Sequence, residues 1–206
     1  IFKEVKVDGS HSEVYGRNLI GAAELETSYE KIALFDVGPT KITGIHSEVE
    51  VEGARGLINI SDNYSRVKVN NLQGNLIVSG RNLEIYAKGV VGQEISLTSS
   101  NENIELSEFS GKVIIKNSHG EILLQPLPLT HPIEVEAEYA DIMFSWPKGG
   151  KYPFEARDRY GEIKWNLPVE LSFHKENHVS TIKAFVEESG NPSITLSTSY
   201  GTIRVE

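Results

Sequence analysis

Histidines and tyrosines recur in this chain at one fixed place. Three residues ahead of each alternating apolar pair stand His11, Tyr29, His46, Tyr64, Gly80, Asn101, His119, Tyr139, Tyr160, Val179 and Tyr200. Five of the eight tyrosines and three of the six histidines fall in this column. Imidazoles could hold a metal, and exposed rings could stack on sugars. If the repeats stack, however, His11 and His46 lie two strand spacings apart, about 10 Å. Two zinc ligands lie at most about 4 Å apart, so no metal is expected. His131, His174 and His178 fall in less regular segments. A ring in nearly every repeat fits a corner ladder of stacked side chains better than a binding site. Tyr29, His46, Tyr64, His119, Tyr139, Tyr160 and Tyr200 are therefore read as structural.

Other chemistry finds little support. There is no cysteine, hence no disulfide or thiolate site. No Gly-x-Ser-x-Gly elbow, phosphate-cradling loop or calcium-repeat signature occurs. Outward strand positions carry Glu50, Lys68, Glu84, Glu105, Lys164, Lys183 and Arg204. Their signs mix along the chain, as on a solvated face with cross-strand charge pairs. An enzyme that cleaves acidic polysaccharides would gather Asp, Arg and Lys in one place. No catalytic residue, cofactor or metal is expected. One departure stands out. The position between paired apolar residues is usually polar, yet it holds Leu123 and Met143 in successive repeats. With Trp146 and Trp165 nearby in sequence, these residues form a candidate patch for a partner or ligand, unless a longer loop covers them.

The elements that must position these residues follow from a repeat. Val14, Ile32, Val49, Val67, Leu83, Ile104, Ile122, Ile142, Ile163, Ile182 and Ile203 recur at a mean period near 19 over the whole chain. A second series, often introduced by glycine, lies between them: "LINI" after Gly56, "NLIV" after Gly74, "KVIIK" after Gly111. Each repeat thus holds two short strands of half-buried, alternating pattern, joined by turns rich in Gly, Asn and Ser. The fold expected is an all-β, single-chain parallel β-solenoid of about eleven two-strand repeats, one domain over 1–206. Repeats are regular over 1–125 and less regular over 126–206, where seven of eight prolines and both tryptophans lie. A boundary near 125–132 is the alternative division. An antiparallel sandwich also has closely spaced strands, but has no reason to keep one register at every second strand.

The formal charge of −9 over 206 residues argues against nucleic acid or anionic membrane as partner. No run of about 18 apolar residues exists, so no transmembrane segment is expected. The single methionine, Met143, predicts a mature or trimmed product whose targeting signal is not in the given chain.

Stretches such as "SSNENIELSEFSGKVIIKNSHGEILL" and "STSYGTIRVE" resemble bacterial adhesin-like families of β-strand-repeat domains of unknown function. The resemblance covers essentially the whole chain and rests on spaced "G-x-V/I-x-I" and "S-Y/N/H-G-x-I" units. It implies a β-helical fold and export to the cell surface, the periplasm or the extracellular space. It brings no active-site residues.

The function expected is a non-enzymatic, exported, adhesin-like structural or binding module, with a glycan or surface ligand as partner. One alternative is a self-assembling filament subunit that uses open strand edges at the termini. Another is a carbohydrate-active β-helix enzyme. "GTIRVE" reads as a last rung with an uncapped edge. A loop folded over it, a cap in missing flanks, or a second subunit would have to cover it.

Overall fold

A computed structural model describes residues 4–169, 171–185 and 190–206. Each coil of chain makes two strands and a corner between them. The first coils are β1 (Glu4–Ser10) with β2 (Glu13–Arg17), β3 (Ala22–Ser28) with β4 (Lys31–Phe35), and β5 (Thr40–Ile45) with β6 (Glu48–Glu52). Next come β7 (Ile58–Asn63) with β8 (Ser65–Gln73), then β9 (Leu76–Ser79). The long strands β10 (Leu83–Ser99) and β11 (Ile104–Asn117) bend through a corner and serve both faces. β12 (Gly120–Pro126), β13 (Ile133–Ala137) and β14 (Ala140–Phe144) continue the stack. The second half adds β15 (Phe154–Arg159), β16 (Glu162–Trp165), β17 (Ser172–Glu176), β18 (Val179–Ala184), β19 (Ile194–Ser199) and β20 (Thr202–Val205). No helix occurs among the described residues. The fold is a parallel β-solenoid, as the 19-residue period requires.

Register turns the sequence repeat into continuous core ladders. On one face Val14, Ile32, Val49, Val67, Ile85, Ile104, Ile122, Ile142, Ile203 and Ile163 are successive neighbours. On the other, Val7, Leu25, Ile42, Ile60, Val78, Leu97, Ile115, Val135, Leu196 and Ala156 run in step. Most of these side chains are fully buried. At roughly 1.5–3 kcal/mol for each buried aliphatic side chain, the two ladders are the main source of stability. No coil could bury its own apolar row, so stability arises between coils.

Three expectations about the rungs change. Ile85, not Leu83, occupies the ladder, because the corner there turns at Asn82 (φ 49°) rather than Gly80. Ile182 leaves the series: β18 runs antiparallel to β15, and Ile182 pairs with Ala156 on the other face. Eleven equivalent rungs therefore do not exist. Finally, "TIRV" is not an open last rung. β19 lies between β13 and β15, and β20 between β14 and β16. The final strands are wedged into the stack, out of chain order, and β20 offers no free edge for self-association. The end of the stack is instead the antiparallel β17–β18 hairpin. Leu167 and Leu171, on the connector from β16 to β17, pack against the core there. That is the loop-over-edge solution among the three envisaged.

Glycines mark the corner ahead of the second series for a steric reason. A Cβ on Gly74 would land on the carbonyl oxygen of Gly56, and one on Gly92 on that of Gly74. Coils approach too closely there for any side chain.

Candidate functional site

The aromatic column is a corner ladder. His11, Tyr29, His46 and Tyr64 stack with ring centroids 5.0, 4.8 and 5.0 Å apart. A second run joins His119 to Tyr139 (5.2 Å), Tyr139 to Tyr200 (4.8 Å), Tyr200 to Tyr160 (4.8 Å) and Tyr160 to His178 (5.3 Å). His178, not Val179, fills the column. Between the runs the amide of Asn101 donates to Asn82 Oδ1 at 2.8 Å. All these corner residues except His119 have left-handed backbone, with φ from 49° at Asn82 to 70° at Tyr160. Such a conformation costs a non-glycine residue about 1 kcal/mol or more, which stacking recovers.

The rings expose about half their surface (Tyr29 55%, Tyr64 54%, Tyr200 50%). Inside each run the rings expose edges, because both faces lie against neighbouring rings at 5° to 24°. A sugar stacks on a ring face, and the interior faces of the ladder are already taken. The histidines never meet: Tyr29 separates His11 from His46. No group of three or more metal-ligating residues occurs among the described residues.

Inside the corner runs a polar column that the sequence reading passed over. Two residues before the corner residue stand Thr27, Asp62, Ser99, Asn117, Asp158 and Thr198, all buried. Four of these side chains, those of Asp62, Ser99, Asn117 and Thr198, make hydrogen bonds that tie the corner together. Ser65 Oγ donates to Asp62 Oδ1 at 2.7 Å, and Asn117 Nδ2 donates to the His119 carbonyl at 2.7 Å. Thr198 Oγ1 donates to the Ala140 carbonyl at 2.9 Å, bridging coils. The signal was present in the sequence as a short polar residue, one spacer, then Tyr, His or Asn. Burial pushes the Asp62 carboxyl above its usual range, and hydrogen bonds from the Ser65 and Ser47 side chains oppose this. Asp158 is raised for the same first reason, against the amides of Gly161 and Arg159.

The four patch residues separate into two pairs. Leu123 and Met143 are direct neighbours in register on the outer face. Trp165 pairs with Val205, which is buried, so it points inward. Trp146 touches Trp165 (5.8 Å), Phe154 (5.7 Å) and Phe185 (5.5 Å), and its Nε1 donates to the Gly150 carbonyl at 3.1 Å. The tryptophans thus thicken the core where the stack ends, and the sheet divides them from Leu123 and Met143.

Around Leu123 and Met143 the outer face changes character. Its column reads Tyr15, Ala33, Glu50, Lys68, Tyr86, Glu105, Leu123, Met143, Arg204, Lys164. Elsewhere on this face some charges pair between or within rungs: Lys68 with Glu50 (3.1 Å), Arg66 with Glu84, Lys164 with Glu162 (3.2 Å). Lys183 likewise pairs with Glu155 at 3.0 Å on the other face. Beside Leu123 and Met143 lies a hollow of about 330 Å³, lined also by Glu121, Asp141, Thr202 and Arg204. Asp141 Oδ1 accepts from the Thr202 amide at 2.7 Å. Neither Glu121 nor Arg204 has an ion-pair partner among the described residues. An apolar floor with unpaired charges of both signs at its rim can seat a small amphiphilic group.

Fold and surface together define a β-solenoid module with a half-apolar hollow on a charged outer face. The chain belongs to the Toastrack DUF4097 family, whose model matches residues 41–206, a domain of unknown function. No curated protein and no solved structure matches it. Among the described residues no helix is long and apolar enough to cross a membrane.

Proposed function

We propose that this domain is a non-enzymatic, exported, adhesin-like binding module that acts at the cell surface, in the periplasm or outside the cell. The solenoid is a stiff scaffold, and the hollow at Leu123 and Met143 is its recognition site. One observation carries the reading: an apolar pair in register on the outer face, beside a hollow whose rim holds Arg204, a cation without an ion-pair partner among the described residues. The partner in this reading is a glycan or surface ligand with an apolar group next to a charged one. The apolar group displaces water over Leu123 and Met143, and the rim charges orient the rest. The ring ladder contributes stiffness.

The test is binding of the purified domain to a glycan array and to immobilised cell-envelope material. A Leu123→Ser, Met143→Ser variant should lose binding while keeping a cooperative unfolding transition, since both side chains are half-buried on the outer face and lie outside the core. A wild-type domain that binds nothing in either format, or a variant that binds equally well, overturns the proposal.

A further inference from the structure

The coil formed by β19 and β20 occupies a slot rather than an end. All its strand pairings are to four strands earlier in the chain: β13 and β15 flank β19, and β14 and β16 flank β20. Ile194, Leu196, Ile203 and Val205 are fully buried in that slot. A single connector, 185–193, joins the coil to β18. We propose that the slot also accepts this coil from a second copy of the chain, so that the protein self-associates by reciprocal exchange of β19–β20.

The walls of the slot carry the argument. The β15–β16 coil repeats the inserted coil almost feature for feature. Tyr160, Gly161 and Ile163 match Tyr200, Gly201 and Ile203. Gly201 sits on the Ala140 carbonyl oxygen, and Gly161 sits on that of Gly201. Tyr200 stacks on Tyr139, and Tyr160 stacks on Tyr200. The upper wall can therefore close directly on the lower one, with Gly161 over Ala140 and Tyr160 on Tyr139. That arrangement follows chain order and leaves β19–β20 free. A freed coil finds the same surroundings in a second copy as in its own. Exchange then conserves every strand pairing of β19 and β20, so it costs little beyond association itself. The proposal uses an interior coil, and so differs from pairing of open edges. It does not depend on the ligand hollow.

The chain has no cysteine, which makes the test clean. Glu134 and Thr195 are exposed and directly opposed in register across β13 and β19, within the span of a disulfide. Glu134→Cys and Thr195→Cys would be prepared as separate full-length chains. They would be mixed, unfolded, refolded at high concentration and oxidised with copper phenanthroline. The expected result is a disulfide-linked heterodimer well above the homodimer level of either chain alone, rising with refolding concentration. The double variant Glu134→Cys, Thr195→Cys should close internally at low concentration. A chain that stays monomeric at every concentration overturns the proposal. An oligomer without the mixed disulfide overturns it as well, and points to edge pairing. Failure of the double variant to close would remove the register on which the proposal stands.

Discussion

Tyr139 and Tyr200 stack at 4.8 Å with their rings 5° from parallel, although the whole β15–β18 segment separates them in the chain. Their contact fixes the last coil between two others. Tyr200 also stacks on Tyr160 at 4.8 Å and 11°, so it has a ring on each face.

Removing that ring tests the ladder. Tyr200→Ala should cost about 2 kcal/mol, since each aromatic pair contributes about 0.5–1.5 kcal/mol beyond area. Tyr200→Gly should cost less, by about 1 kcal/mol, because glycine takes the positive φ of 60° without strain. Urea unfolding of the two variants checks the order. Equal losses would mean that backbone conformation plays no part at this corner.

Inward and outward positions should differ sharply on the Ile122 face. Ile122 is fully buried between Ile104 and Ile142. Ile122→Asp would bury an unpaired charge and should abolish folding. Glu105 faces outward next to Leu123, and Glu105→Gln should change the unfolding free energy by less than about 0.5 kcal/mol. Circular dichroism and thermal melting separate these outcomes.

Two glycines with positive φ should respond differently to alanine. Gly74 (φ 155°) faces the Gly56 carbonyl, and a Cβ there has no room. Gly74→Ala should cost several kcal/mol or prevent folding, because backbone must move. Gly149 (φ 78°) has open space around it, so Gly149→Ala should cost only the strain of about 1 kcal/mol. Chemical denaturation of both variants measures the gap.

Asp62 should make stability pH-dependent in a defined direction. Burial raises its folded-state pKa, so the folded chain holds the proton at pH values where the unfolded chain has released it. The contribution of Asp62 is therefore most favourable below the unfolded value of about 4. It is lost as pH rises through the folded value. Asp62→Asn keeps the shape without the charge. The variant should gain stability relative to wild type as pH is raised from acid to neutral. Urea midpoints across that range would show it, and a difference that shrinks with pH would reverse the assignment.

Much of this molecule is legible in its spacing. The 19-residue recurrence of Ile and Val can be satisfied only by strands that stack in register, and the Tyr/His column falls three residues before them because the corner lies there. The inward polar column was legible too, as Thr27, Asp62 and Asn117 each precede a corner residue by two. The registers of Leu83 and Val179 were misplaced, since a corner can turn at Asn82 or His178 without changing the apolar pattern. The four patch residues divide between the two sides of the sheet. Leu123 and Met143 share a face because they share a register position, while Trp146 and Trp165 turn inward to fill the core where the stack closes.

Local pattern determined the strands, their burial faces and the corner ladder of this protein, because each depends on neighbours at a fixed offset along the chain. The order of the coils was decided only in three dimensions. "RYGEIKW" and "TSYGTIRV" offer the same ring, glycine and apolar pair, so either could stack on Tyr139 and Ile142. The antiparallel return of β18 against β15, which gives the stack its end, leaves the Tyr200 coil the interior place. Equivalent repeats carry no information about which of them is last.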